Sequence, residues 1–132
     1  MKKNKIIWVN GCFDILHVGH IRMLEYAKSL GDFLVVGIDS DSRVKILKGE
    51  SRPINPQEDR AEVLRSIRFV DSVVTFDSED SLRSRISECG ASLIVVGEEY
   101  RDKGVIGSEL AEISYFRRIE GYSSTSIIDR DI

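Results

Sequence analysis

The chain has 132 residues, 42% hydrophobic and 31% charged, which is room for one domain with one core. Its net charge of −3, from 19 basic and 22 acidic side chains, argues against general nucleic-acid binding, which favours a basic chain. No apolar run approaches a membrane span, the start Met1-Lys2-Lys3-Asn4-Lys5 does not lead into a signal peptide, and two distant cysteines, Cys12 and Cys89, suit free thiols in a reducing cytoplasm.

The first element expected is an apolar strand at Ile6–Val9. Directly after it comes Gly11-Cys12-Phe13-Asp14-Ile15-Leu16-His17-Val18-Gly19-His20, which holds both histidines of the chain. A helix follows over Val18–Leu30, with Val18, Ile21, Leu24, Ala27 and Leu30 on one face, and Gly31 ends it. The strand–helix junction offers free N–H groups and the positive end of a helix dipole, so a phosphate is the expected guest.

Phe33–Ile38 reads as a second strand, apolar throughout as a strand covered on both faces should be. Residues 39–55 read as a long polar connection carrying Lys45, Lys48 and Arg52. A second helix starts at Pro56, with Asn55 as cap and Glu58 three residues on, and Ala61, Leu64 and Ile67 face inward. A strand at Ser72–Phe76 and a helix at Glu79–Cys89, with Leu82 and Ile86 inward, come next. Leu93–Val96 is a fourth strand, ending at Gly97. A polar loop over 98–108, a short helix at Glu109–Glu112 and a strand at Ser114–Arg118 follow. Ser123 and Ser124 cap a last helix through Ile128.

Strands alternating with helices specify an α/β domain with a mainly parallel, five-stranded, doubly wound sheet and helices on both faces. If the first strand is central with the fourth beside it, strand order reverses between them, and ligands bind beyond the carboxyl ends at such a reversal. Gly11 and Gly97 then let a ligand approach the backbone.

Neither a P-loop nor a G-x-G-x-x-G is present. His17 and His20 stand one turn apart, with Gly19 between them, and project to the same side. From the residues alone three readings stay open: two surface or core-satisfied histidines, a metal site completed by Asp14 or Cys12, or a grip on a polyphosphate.

The run Gly11-Cys12-Phe13-Asp14-x-x-His17-x-Gly19-His20 resembles the signature of the cytidylyltransferase-like nucleotidyltransferases. Gly121-Tyr122-Ser123-Ser124-Thr125-Ser126 is similar to that family's second motif, with Ser124 in place of a threonine. Leu47-Lys48-Gly49-Glu50-Ser51-Arg52-Pro53-Ile54-Asn55-Pro56, Asp59 to Leu64, Val70-Asp71 and Gly107-Ser108-Glu109 resemble the branch that adenylylates heptose 1-phosphate. Val96-Gly97-Glu98-Glu99-Tyr100 departs from that branch, where a lysine precedes the glycine and Gly-Asp-Tyr follows. The kinase domain often fused to such enzymes has no counterpart in these residues. A second likeness is to the short glycerol-3-phosphate cytidylyltransferases, with Arg118 matching an arginine of their final motif.

The resemblance implies a Rossmann-like fold. It also implies attack by an acceptor phosphate oxygen on the α-phosphorus of a nucleoside triphosphate, ATP before CTP, with pyrophosphate leaving and Mg²⁺ carried by the nucleotide. Such a nucleophile is already charged, so the protein's task is alignment and charge stabilisation. His17, His20 and Lys48 are the expected catalytic residues. Gly11, Cys12, Phe13, Asp14, Gly19, Lys45, Arg118, Ser123, Ser124 and Thr125 are expected against phosphates. Gly97 and Glu98 are expected against base and ribose, and Arg60 and Tyr100 against the acceptor.

Each role has a plainer competitor. Asp14 orients its loop, or a Mg²⁺-bound water, or simply stabilises a turn. Lys45 and Lys48 suit a solvated loop, Arg60 suits surface pairs with Asp59 or Glu62, and one hydroxyl of the serine run suits a plain helix cap. Cys12 fills a turn. Relatives of this kind imply a homodimer acting on small molecules, without nucleic acid or membrane. A nucleotide-binding module without turnover and a small adaptor domain are the competing classes.

Overall fold

The computed structural model describes residues 4–117. Its five strands are β1 (Ile6–Gly11), β2 (Phe33–Asp39), β3 (Ser72–Phe76), β4 (Leu93–Gly97) and β5 (Glu112–Phe116). They form one sheet in the order β3-β2-β1-β4-β5, with every pairing parallel. The α/β, doubly wound, Rossmann-like arrangement expected from the sequence is the one found. β1 is central, β2 and β4 flank it, and the reversal falls between β1 and β4.

Alternation along the strands divides the core. Ile7, Val9, Leu34, Val36, Leu93 and Val95 face one side, packed with Leu24 and Ala27 of α1 (Val18–Ser29) and Ala61 and Leu64 of α3 (Gln57–Arg65). Trp8, Val35 and Ile94 face the other side, against Leu82 and Ile86 of α4 (Glu79–Cys89). The right-handed crossovers require this placement: the two leftward connections share a face, and the long one from β3 to β4 returns over the other. Gly37 makes room for the fully buried Trp8, whose ring would collide with a Cβ there.

Four local expectations need correction. Residues 39–55 are not all loop: α2 spans Asp41–Lys48, capped by the Ser40 hydroxyl, which accepts from Arg43 N. Only Val44 of α2 is buried, while Ile46 and Leu47 are exposed, so the helix left no apolar stripe in the sequence. Asn55 does not cap α3; Pro56 holds that position without a side-chain bond, and Asn55 Nδ2 donates to Asp14 O at 2.7 Å. No helix forms over 109–112, because Gly107 turns the chain at φ 94° and Glu112 already belongs to β5. On α1, Val18 is exposed rather than inward. The end of the expected fifth strand at Arg118 and the last helix lie outside the described residues.

Candidate active site

A cavity of about 570 Å³ opens at the carboxyl ends of β1, β2 and β4, where the strand order reverses. The β1–α1 turn forms its floor. Phe13 adopts φ 50°, a left-handed conformation rare for an aromatic residue, and its ring is buried edge-on to His20 with centroids 5.1 Å apart. That turn lifts the next residues into line with the start of α1.

The two histidines build the helix start between them. His17 is the N-cap residue: its Nδ1 accepts from Gly19 N at 3.1 Å, and Nδ1 of His20 accepts in return from His17 N at 3.3 Å. This is a capping box made from imidazoles. Both Nδ1 atoms act as acceptors, so each neutral ring carries its proton on Nε2. The rings stack with centroids 3.8 Å apart and both line the cavity. At this separation two simultaneous imidazolium charges would repel, and a proton on Nδ1 would break the cap. Both rings are thus fixed beside the positive end of the helix dipole, with Nε2 of His17 itself buried.

Asp14 anchors the turn from below. Its buried side chain accepts from Ile54 N at 2.8 Å, Asn55 N at 2.8 Å and Arg52 Nε at 3.0 Å. Burial pulls the carboxyl upward, but these donors outweigh it and hold Asp14 below the usual carboxylate range. With both oxygens taken by N–H groups, it orients the loop. Cys12 lines the cavity, and burial pushes its thiol up despite the nearby positive charges of Lys48 and Arg60. A raised thiol is a poor nucleophile, consistent with its filling a turn.

Arg60 has a different role from the acceptor contact expected of it. It is 2% exposed, and its guanidinium donates to Asn55 O, Cys12 O, Asp39 O and Asp41 Oδ1 at 2.8–2.9 Å. Four of its five N–H groups are committed to acceptors inside the protein. Arg60 thus braces the β1–α1 turn, the end of β2, the start of α2 and the loop before α3.

Of the other expected residues, Gly11, Gly19, Lys48, Gly97 and Tyr100 reach the cavity wall. Lys45 does not: its Nζ donates to Arg52 O at 3.3 Å. Glu98 does not line the cavity and lies 3.8 Å from Arg101, whereas the neighbouring Glu99 does line it, its carboxylate lying over Gly97. Arg118, Ser123, Ser124 and Thr125 lie outside the described residues. The sequence reading passed over Asp39 and Arg43. Both line the cavity, joined by Arg43 Nε donating to Asp39 Oδ1 at 2.9 Å. An Asp and an Arg four apart across the Ser40 cap were the available signal.

No cluster of three or more His, Cys, Asp or Glu able to hold a metal occurs among the described residues, and none of their helices is long and apolar enough to cross a membrane.

Residues 8–130 match the model of a family described as Cytidylyltransferase-like. The chain belongs to that family. It is 50% identical over 129 residues, 97% of its length, to the Bifunctional protein HldE of Campylobacter concisus. It is 48% identical over 127 residues, 96% of its length, to the protein of the same name from a Nitratiruptor species. In each case it spans about 27% of the relative's length. Among solved structures, a lipopolysaccharide core biosynthesis protein from Thermoplasma volcanium superposes with a TM-score of 0.71 at 26% identity, covering 92% of this chain and all of that one. The family's resemblance on the His17–His20 run and its fold are thus both present.

Proposed function

We propose that this chain transfers AMP from ATP to a sugar phosphate, heptose 1-phosphate first among them, and releases pyrophosphate. The observation that carries this is the imidazole capping box. It fixes both imidazoles and a helix N-terminus at one cavity at the strand-order reversal. The likeness of nearly the whole chain to part of HldE, and the motif over Leu47–Pro56, support the branch and hence ATP and heptose.

An acceptor phosphate oxygen attacks the α-phosphorus, and the bond to the pyrophosphate oxygen breaks. His17 and His20 donate to the triphosphate, stabilising charge as it moves to the leaving group. Lys48, close enough to Cys12 to act on its thiol, adds a positive charge beside the phosphate loop. The backbone from Gly11 to Phe13 and Gly19 lets the phosphates approach. Gly97, Glu99 and Tyr100 form the nucleoside side of the cavity. Mg²⁺ would come bound to the triphosphate, as this ion usually does, and would supply charge neutralisation there. A cytoplasmic setting and a homodimer are what the resemblance implies and belong to this proposal.

The test is a panel of ATP and CTP against heptose 1-phosphate, other sugar 1-phosphates and glycerol 3-phosphate, read as pyrophosphate release. Release with ATP and heptose 1-phosphate is expected. Preference for CTP with glycerol 3-phosphate replaces this reading with the polyol branch. No release from any pair, with nucleotide still bound, leaves a binding module.

A further inference from the structure

The reaction brings two phosphate-bearing ligands together at the end of β1, so each must arrive from one side. The two sides of the cavity differ in charge. From β4 onward the wall carries Gly97, Glu99 and Tyr100 and no cation among the described residues. Among the described residues, the lysine and arginine side chains of the wall are Arg43 and Lys48, both from α2 on the β2 side. Lys48 lies at the last turn, near the phosphate loop; Arg43 lies at the first turn, farther along the same wall.

Arg43 is held in place. Its Nε is committed to Asp39 Oδ1 at 2.9 Å, and its guanidinium lies 5.6 Å from the centre of the Phe76 ring. Its side chain is 17% exposed and that of Asp39 14%. No other hydrogen bond among the described residues ends on the Asp39 carboxylate. Anchored through Nε, the guanidinium keeps its two terminal nitrogens for a further ligand, in the fork geometry that suits phosphate. Beside it, Asp39 has an oxygen able to accept from a hydroxyl. A donor fork and a carboxylate side by side match a phosphorylated polyol.

We propose that Asp39 and Arg43 form the acceptor subsite, Arg43 binding the acceptor's phosphate and Asp39 one of its hydroxyls. This rests on the reading of the chain as a transferase and names a part of the site that reading left open. Arg60, expected in that role, is sealed in the interior.

The test compares wild type with Arg43→Gln and Arg43→Lys, in turnover and in thermal protection by heptose 1-phosphate and by inorganic phosphate. A charge-assisted bond to phosphate predicts that Arg43→Gln raises KM for the acceptor about 10–100-fold while KM for ATP stays put. Arg43→Lys recovers part of it, since it keeps charge but loses the fork. A rise in KM for ATP instead assigns Arg43 to the triphosphate and overturns the subsite, as does equal KM for both substrates in all three proteins. If wild type turns over no sugar phosphate, protection decides: phosphates that protect wild type but not Arg43→Gln sustain the subsite while the transferase reading fails. Equal protection of both, or of neither, overturns it. Urea midpoints show whether each variant is folded, and Asp39→Asn gives a second route, expected to weaken protection by heptose 1-phosphate more than by inorganic phosphate.

Discussion

His17 performs two tasks with one ring. Nδ1 caps α1 and, in the proposed function, the same ring serves the triphosphate, so a single substitution confounds stability with catalysis unless the replacement separates them. Asparagine does, being a good N-cap with no group to match Nε2. His17→Asn is expected to hold its urea midpoint near that of wild type while turnover falls roughly 10²–10³-fold. His17→Ala should lose both turnover and about 1 kcal/mol of stability. Wild-type pyrophosphate release in either variant would remove His17 from the mechanism. Asp14 is a residue-scale test of a different kind. Its carboxyl is held below its unfolded value, so the stabilisation it provides is complete above about pH 4 and disappears as pH falls through the lower folded value. Asp14→Asn should therefore cost roughly 1–3 kcal/mol at pH 7. Its midpoint should converge on that of wild type as the pH drops below about 4, in urea titrations from about pH 7 to about pH 3.

At the scale of elements, the site depends on four pieces that one buried guanidinium joins. The pattern around Arg60, a charged stretch Gln57 to Arg60 at the start of a helix, reads as solvent-facing. Only the approach of Cys12, Asp39 and Asn55 from three other parts of the chain turns Arg60 into a core residue. Removing it leaves three part-buried carbonyls, of Cys12, Asp39 and Asn55, without this donor. Arg60→Ala is expected to lower stability by roughly 2–5 kcal/mol, and Arg60→Lys to restore little of it, because one ammonium cannot reach four acceptors. Denaturant unfolding checks this, and a stable Arg60→Ala impaired only in acceptor KM would return Arg60 to the acceptor. The same scale explains the missed helix. α2 has one buried residue, Val44, and its polar composition imitates a loop; what starts it as a helix is its Ser40 cap, directly after β2 ends at Asp39.

Across the whole molecule, strand order decides where ligands meet. A nucleotide that bridges the turn after β1 and the glycine after β4 binds the folded chain and not the unfolded one. Mg²⁺ with ATP at about 100 times Kd should thus raise Tm by on the order of 10 °C, CTP by less. Equal shifts with both would leave base choice to another part of the site. The alternation of apolar strands and helices, the crossover hand, and the Gly11–His20 run were all legible in the residues, because periodicity and turn chemistry are local properties. They determined the fold class and the histidine pair, while the central place of β1 came from the strand pairing. Which cations meet the cavity was not local. Lys48 and Lys45 differ by less than one helical turn, yet one lines the wall and the other donates to Arg52 O; Glu99 lies over Gly97 while Glu98 turns away; Arg43 and Asp39 both line the cavity, with α2 starting directly after β2. These choices follow from packing between segments far apart in the chain, where burial and hydrogen-bond partners are set by neighbours that no single stretch of sequence contains.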